Sequence, residues 1–228
     1  MSGSEQLLLD LKPAQLPGFE NFVAGTNAEL VTRLKGVAHY QNYDALYIWG
    51  PKGSGKSHLL HATATSAVEQ RPIKFSSGID ISDSLAAPSN ALLVIDDIDL
   101  LNSEAQIALF RMFNSARMIG LAFLLSGPQP PLQLDLREDL RTRIGQSLIY
   151  EVHLLSDEEK SAALRRHAQL RGMRLDESVV LYLMRHGRRD LPSLMAILDG
   201  LDRASLMLKR QPTLPLLREL LQSSLEID

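Results

Sequence analysis

The residues Gly50-Pro51-Lys52-Gly53-Ser54-Gly55-Lys56-Ser57 carry the most chemistry in this chain. They match the phosphate-binding pattern G-x-x-x-x-G-K-[ST] at every required position. Gly50, Gly53 and Gly55 let the backbone turn its N–H groups inward around a phosphate, where a side chain would block close approach. The helix opening at Ser57-His58 adds a favourable dipole, so Pro51, Lys52, Ser54 and His58 join the glycines as candidate nucleotide-binding residues. Lys56 is spaced to reach the outer phosphates, and the Ser57 hydroxyl to ligate Mg²⁺. A Gly-rich turn with an incidental lysine is the alternative. The short apolar strand Ala45–Trp49 before the motif and the helical pattern after it favour a nucleoside triphosphate or diphosphate site.

A second chemical group lies some forty residues on. Ala91-Leu-Leu-Val-Ile-Asp96-Asp97 is an apolar strand ending in two carboxylates, the place where a P-loop protein keeps its metal-binding and water-polarising acids. Asp96 is the candidate Mg²⁺ ligand, directly or through water, and Asp97 the group that polarises the attacking water. Acidic pairs also simply end strands in turns, but the P-loop argues for the metal reading. Asp97 is one methylene shorter than a glutamate in that slot, so the chain's own hydrolysis is expected to be slow.

Strand patterns occur at Ala45–Trp49, Ile73–Ser76, Ala91–Ile95, Leu121–Ser126 and Leu148–Leu154, with helical patterns after the first, third and fourth. That order predicts an α/β fold, a parallel sheet sandwiched between helices. Ser103-x-x-Gln106 reads as a capping box opening one helix, with Ile107, Phe110 and Phe113/Asn114 on its inner face. From Ser156 onward the strand patterns stop. Ser156-x-x-Glu159, Asp176 and Asp190-Leu-Pro192 open three helices, and Pro212 and Pro215 bracket the start of a fourth. The expected organisation is a tail over 1–18, a P-loop domain over 19–155 and a small all-helical domain over 156–228.

The 228 residues carry a net charge of −3, so no global excess of positive charge favours nucleic acid. Cysteine is absent, which excludes disulfides and thiol catalysis and fits a reducing cytoplasm. No secretion signal opens the chain, and the longest apolar runs have strand length. A soluble cytoplasmic protein without membrane partners is expected.

Gly-Lys56-Ser57-His-Leu, Val-Ile-Asp96-Asp97-Ile-Asp, Ser126-Gly-Pro-Gln-Pro-Pro131 and Leu140-Arg-Thr-Arg143, followed by a helical lid, together resemble the AAA+ family of P-loop NTPases. Within it the chain is similar, from about residue 19 to the C-terminus, to the ATPase core of the bacterial replication initiator DnaA. Phe19-Glu-Asn-Phe22-Val-Ala-Gly25-x-Asn27 resembles the segment that packs around adenine in that group. The chain ends at Asp228, just after the expected lid, so the resemblance implies a short DnaA-like regulator without the DnaA-type DNA-binding domain.

The resemblance implies roles residue by residue. Arg143 matches the arginine finger that enters a neighbour's nucleotide site, with Arg141 the alternative and a solvated, salt-bridged face the plainer reading. Arg189 matches the sensor 2 arginine that touches the chain's own nucleotide, with Arg188 able to substitute. Ser126 falls at sensor 1, although Pro128 stands where the DnaA group often has an acid. Gln6-Leu7-Leu8-Leu9-Asp10-Leu11 resembles the hexapeptide that docks on the replicative sliding clamp, the beta subunit of DNA polymerase III, through Gln6, Leu7, Leu9 and Leu11. The implied partners are therefore DnaA and the clamp, with DNA reached indirectly through the clamp, and ADP or ATP with Mg²⁺ as cofactors. Head-to-tail AAA+ geometry leaves a homo-oligomer open. His58 and His61 lack the further ligands of a metal site. Met112, Met118, Met184, Met195 and Met207 read as core filling.

Two function classes follow. One is a negative regulator of replication initiation that stimulates hydrolysis of DnaA-bound ATP in trans. The other is a self-contained AAA+ ATPase that loads or remodels a DNA-bound partner.

Overall fold

Continuous apolar stretches such as Leu46-Tyr47-Ile48 and Leu92-Leu93-Val94-Ile95 are apolar on both faces, and such strands require cover on both sides. The computed structural model, which describes residues 16–39, 44–83, 85–187 and 190–225, supplies that cover. Its first compact unit spans residues 17–154. Strands β1 (Ala45–Trp49), β2 (Ile73–Ser77), β3 (Leu92–Asp96), β4 (Ala122–Gly127) and β5 (Leu148–Glu151) form a parallel sheet in the order β2-β3-β4-β1-β5. Helices α1 (Ala28–Val37) and α2 (Lys56–Ala67) cover one face, on Leu46, Ile48, Leu92, Val94 and Leu124. Helices α3 (Ser103–Ile119) and α4 (Glu138–Gly145) cover the other, on Tyr47, Leu93, Ile95, Phe123 and Leu125. Alternate residues of each strand thus feed the two cores.

The chain register brings the two chemical motifs together. Strand β4 pairs with β1 on one side, Trp49 opposite Gly127, and with β3 on the other, Ile95 opposite Leu125. The loop that follows β1 and the acids that end β3 therefore sit at the same edge of the sheet, on either side of the end of β4. Ligands of open α/β sheets bind at that carboxyl edge.

Several local expectations are corrected. Asn102, one residue earlier than expected, caps α3, its Oδ1 accepting from the Ala105 N–H at 2.8 Å. Gln106 turns inward instead of completing a capping box: Nε2 donates to Leu101 O at 3.0 Å and Oε1 accepts from Arg137 N at 2.9 Å. The inner face of α3 is accordingly Ala105, Ala108, Leu109 and Met112, while Phe110 and Phe113 are partly buried and Asn114 is exposed. Strand β5 ends at Glu151 and does not reach Leu154, because the His153 N–H donates to the Asn27 side chain at 2.8 Å in place of a neighbouring strand.

The second unit begins at Leu155 and contains no strand among its described residues. Helices α5 (Asp157–Leu170), α6 (Glu177–His186), α7 (Leu191–Leu208) and α8 (Leu214–Leu225) enclose Leu164, Val179, Val180, Leu183, Leu198, Leu201 and Leu217. Ser156 and Glu159 form the reciprocal capping box, and Asp176 and Asp190 cap α6 and α7 through the N–H groups of Ser178 and Ser193. Between α5 and α7 the buried Asp199 accepts from His167 at 2.6 Å and pairs with Arg171 at 3.2 Å.

Candidate functional site

The phosphate loop takes its shape from glycine. Gly53 (φ 84°) and Gly55 (φ 97°) are left-handed, and Gly55 caps α2, whose first residues are Lys56 and Ser57. Such angles strain any residue with a Cβ. Nothing lies within 4 Å of where a Cβ on Gly53 would stand, so the space over the loop is open. A Cβ on Gly50 would instead stand 2.5 Å from Val152 O, which seats the start of the loop against the chain leaving β5.

Lys56 Nζ donates to Gly50 O at 2.8 Å and Pro51 O at 3.2 Å, so the ammonium is folded over its own loop. Burial lowers the affinity of Lys56 for its proton, and the nearby carboxylates of Asp97, Asp96 and Asp99 oppose that shift. Ser54 Oγ is buried without a hydrogen-bond partner, an unusual state for an interior hydroxyl. Open space above left-handed glycines, a cation at the rim and an unsatisfied donor fit an anionic oxygen ligand of phosphate type. Pro51, Lys52 and Ser57 are exposed around the loop.

The Gly18–Phe22 segment is tied to this loop from the other flank. Phe22 lies against Gly55, where a Cβ would stand 2.8 Å from Phe22 Cε2, and its ring tilts against His58 at 5.4 Å. His58 Nε2 lies 2.9 Å from Gly18 O and donates to it. His58 is therefore a latch between the first turn of α2 and the Gly18–Phe22 turn. Asn27, buried, exchanges two hydrogen bonds with the His153 backbone at 3.0 and 2.8 Å.

The two acids are held differently. Asp96, the last residue of β3, is buried, and one of its oxygens accepts a hydrogen bond from Ser126 Oγ. Asp97 is left-handed (φ 51°, ψ 60°) and half-buried. Burial, then the charges of Asp96 and Asp99, push its carboxyl above the usual carboxylate range, with Lys56 and Lys52 opposing. Among the described residues no group of three or more His, Cys, Asp or Glu side chains could hold a metal alone. A Mg²⁺ ion here would take Asp96 and Ser57 together with ligand oxygens, the donor set this hard cation prefers.

Arg143 stands elsewhere, in the last turn of α4. It is exposed and held by Asn114 Oδ1 at 2.8 Å and Gln146 Oε1 at 3.5 Å. Arg141 is half-buried on the same helix, and Arg137 pairs with Asp139 at 2.8 Å. Gln6, Leu7, Leu9, Leu11, Arg188 and Arg189 lie outside the described residues.

Sequence reasoning missed Gly78, which follows β2: a Cβ there would overlap Asp97 O. A glycine just after a strand opposite two acids was the available signal. It also missed the His58–Gly18 latch, whose partners lie 40 residues apart.

Comparison with known proteins now bears on this geometry. The family profile described as "Hda, lid domain" matches residues 157–221. The "Bacterial DnaA ATPase domain" profile matches residues 14–76, which include the whole phosphate loop. Over these two segments the chain is similar to the lid domain of Hda and to the ATPase domain of DnaA. Its fold is similar to domain III of the Thermotoga maritima replication initiation protein DnaA, at 21% identity and TM-score 0.71, covering 90% of this chain and 95% of that one. AMPPCP-bound DnaA from Aquifex aeolicus matches at 19% identity and TM-score 0.67, over 83% of this chain and 65% of that chain. RuvB from Thermotoga maritima matches at 17% identity and TM-score 0.69, over 93% and 72%. The AAA+ architecture expected from the motifs, a parallel sheet between helices followed by a small helical unit, is thus the fold of this chain. No helix among the described residues is long and apolar enough to cross a membrane.

Proposed function

We propose that this protein binds ADP or ATP with Mg²⁺ at Gly50–Ser57 and acts as a negative regulator of replication initiation, promoting hydrolysis of ATP bound to DnaA. The observation that carries this reading is the Hda lid match over 157–221 in a chain whose nucleotide-binding half matches DnaA. The AMPPCP-bound state of a structural relative supports a nucleotide as the ligand.

In this reading the loop N–H groups, Lys56 and Ser54 bind the phosphates, Ser57 and Asp96 hold the metal, and Phe22 and the latched Gly18–Asn27 segment shape the base side. Bound Mg²⁺ supplies charge neutralisation on the phosphate oxygens. The resemblance implies Arg189 at sensor 2 as a further residue for the nucleotide, and Ser126 stands at the sensor 1 position beside Asp96. Asp97 is the group to polarise a water, and its short reach together with its held backbone fits slow turnover by this chain. Arg143 acts in trans: its exposed guanidinium, oriented by Asn114, enters the ATP site of DnaA and neutralises charge on the transferred phosphoryl group. Arginine fingers of this kind contribute ~10³–10⁵ in rate. The segment Gln6–Leu11 docks the protein on the DNA-loaded clamp, bringing it to DnaA near DNA without gripping DNA itself.

The test is single-turnover hydrolysis of labelled ATP prebound to DnaA, with clamp-loaded DNA, comparing the intact protein with Arg143→Ala. Stimulation lost in the variant, with its fold and nucleotide affinity intact, is expected. Full stimulation by Arg143→Ala refutes the trans finger. A second reading, a loader or remodeller driven by its own ATPase, is favoured by the intact Asp96–Asp97 pair; it requires that Asp97→Ala abolish function while nucleotide binding survives.

A further inference from the structure

A residue at the sensor 1 position is expected to face the nucleotide, yet Ser126 is fully buried and its hydroxyl is already engaged twice. Its O–H donates to Asp96 Oδ1, and its oxygen accepts the Asp97 N–H at 3.0 Å. A serine has a single O–H to donate, so donation to Asp96 leaves none for a phosphate oxygen.

The other side of the acid pair is fixed by Gly78. Strand β2 pairs Ser77 opposite Asp96, and the next residue, Gly78, is buried, with the Asp97 carbonyl occupying the space a Cβ would need. A Cβ at 78 would overlap Asp97 O and stand 3.4 Å from Asp96 O. Both obstacles are backbone, so no side-chain movement relieves them. Between these two contacts Asp97 keeps its left-handed backbone, one that aspartate and asparagine tolerate better than most residues with a Cβ.

We propose that Ser126 and Gly78 are positioning residues that set the Asp96 carboxylate and the Asp97 backbone in their metal-facing arrangement, and that Ser126 does this in place of touching phosphate. The proposal rests on the nucleotide-site reading above. It also explains why position 97 is an aspartate. A longer glutamate would be held by the same two contacts in a backbone conformation that suits it less well.

The test measures affinity for ADP and for a non-hydrolysable ATP analogue, each with Mg²⁺ and with EDTA, by calorimetry and by the fluorescence of Trp49. This is the chain's only tryptophan and adjoins Gly50. Outer-sphere partners of metal ligands typically affect affinity 10–100-fold. Ser126→Ala is therefore expected to weaken both nucleotides about 10-fold in Mg²⁺ and to leave the EDTA values unchanged. Ser126→Cys, of similar size with a weaker donor, shows the same pattern with a smaller loss, and Gly78→Ala shows it through the opposite contact. A loss that persists in EDTA and is larger for the triphosphate means that Ser126 touches the phosphate, and overturns the proposal. So do unchanged affinities in both Ser126 variants. If the intact protein binds neither nucleotide in either medium, the nucleotide site itself is refuted, a result distinct from a failure of the positioning role.

Discussion

The two halves of the candidate site, the loop after β1 and the acid pair after β3, are held in different ways. In the loop, Lys56 spends its ammonium on the carbonyls of Gly50 and Pro51, Ser54 Oγ has no partner, and the left-handed glycines leave open space above the backbone. Its polar groups are paired with themselves or unpaired, so a ligand must redirect them. The acid pair is tied down by neighbours that no ligand need move: Ser126 from β4, and Gly78 from the end of β2. One half is completed by what binds. The other is complete beforehand, and in the proposed reading the difference assigns affinity to the loop and metal geometry to the pair.

Lys56→Ala presses hardest on that difference. Hydrogen bonds to charged groups contribute about 1.5–3 kcal/mol each, so losing two to phosphate is expected to weaken ADP about 100-fold or more. Isothermal calorimetry with and without Mg²⁺ reads this, and a loss confined to the Mg²⁺ condition would show that the loop does not carry affinity.

Smaller effects are expected from the glycines. Gly53→Ala meets no neighbour, so its cost is backbone strain of about 1–2 kcal/mol. Gly55→Ala carries similar strain and must also displace Phe22. The thermal midpoint should fall further for Gly55→Ala than for Gly53→Ala, and the reverse order would deny the contact between Phe22 and the loop.

Asp97→Glu probes the fixed half. Despite its longer reach it should not raise ATP turnover, and it should lower the thermal midpoint by roughly 2–4 °C, about 1 kcal/mol for a chain of this size. Faster turnover in a phosphate-release assay would mean that the backbone at 97 is free to adapt.

The mildest change is Asp97→Asn in the metal-free protein. The raised pKa of Asp97 means that the folded state holds this proton more tightly than the unfolded chain does. Folding stability therefore falls as pH climbs from the ordinary carboxylate range through the raised value, and the full penalty is present at neutral pH. The variant should melt higher than the intact protein at neutral pH. The gain should vanish in acid, where Asp97 is protonated in both states.

Legibility in the sequence follows the same division. The loop was readable because its geometry is local: glycine spacing, a lysine and a helix start lie within eight residues, and the strands and lid caps Ser156, Asp176 and Asp190 are equally local signals. The supports of the acid pair were not readable, because Ser126, Gly78 and Asp97 meet only through the register of β2, β3 and β4. Neighbouring capping residues defeated the reading of α3, where Asn102 and Ser103 both suit the role and only the inward turn of Gln106 decides. Arg143 was picked out by resemblance, whereas its orientation by Asn114 depends on two helices meeting 29 residues apart in sequence.

The most direct test of the central claim, that this chain holds its nucleotide while the chemistry occurs on DnaA, is to place the label on one protein at a time. γ-Labelled ATP is loaded on DnaA with unlabelled nucleotide on this protein, and then the reverse, in otherwise identical mixtures with clamp-loaded DNA. The account predicts rapid phosphate release when the label is on DnaA, and slow release when it is on this chain. Rapid release from this chain, with the DnaA-bound label unchanged, would contradict it.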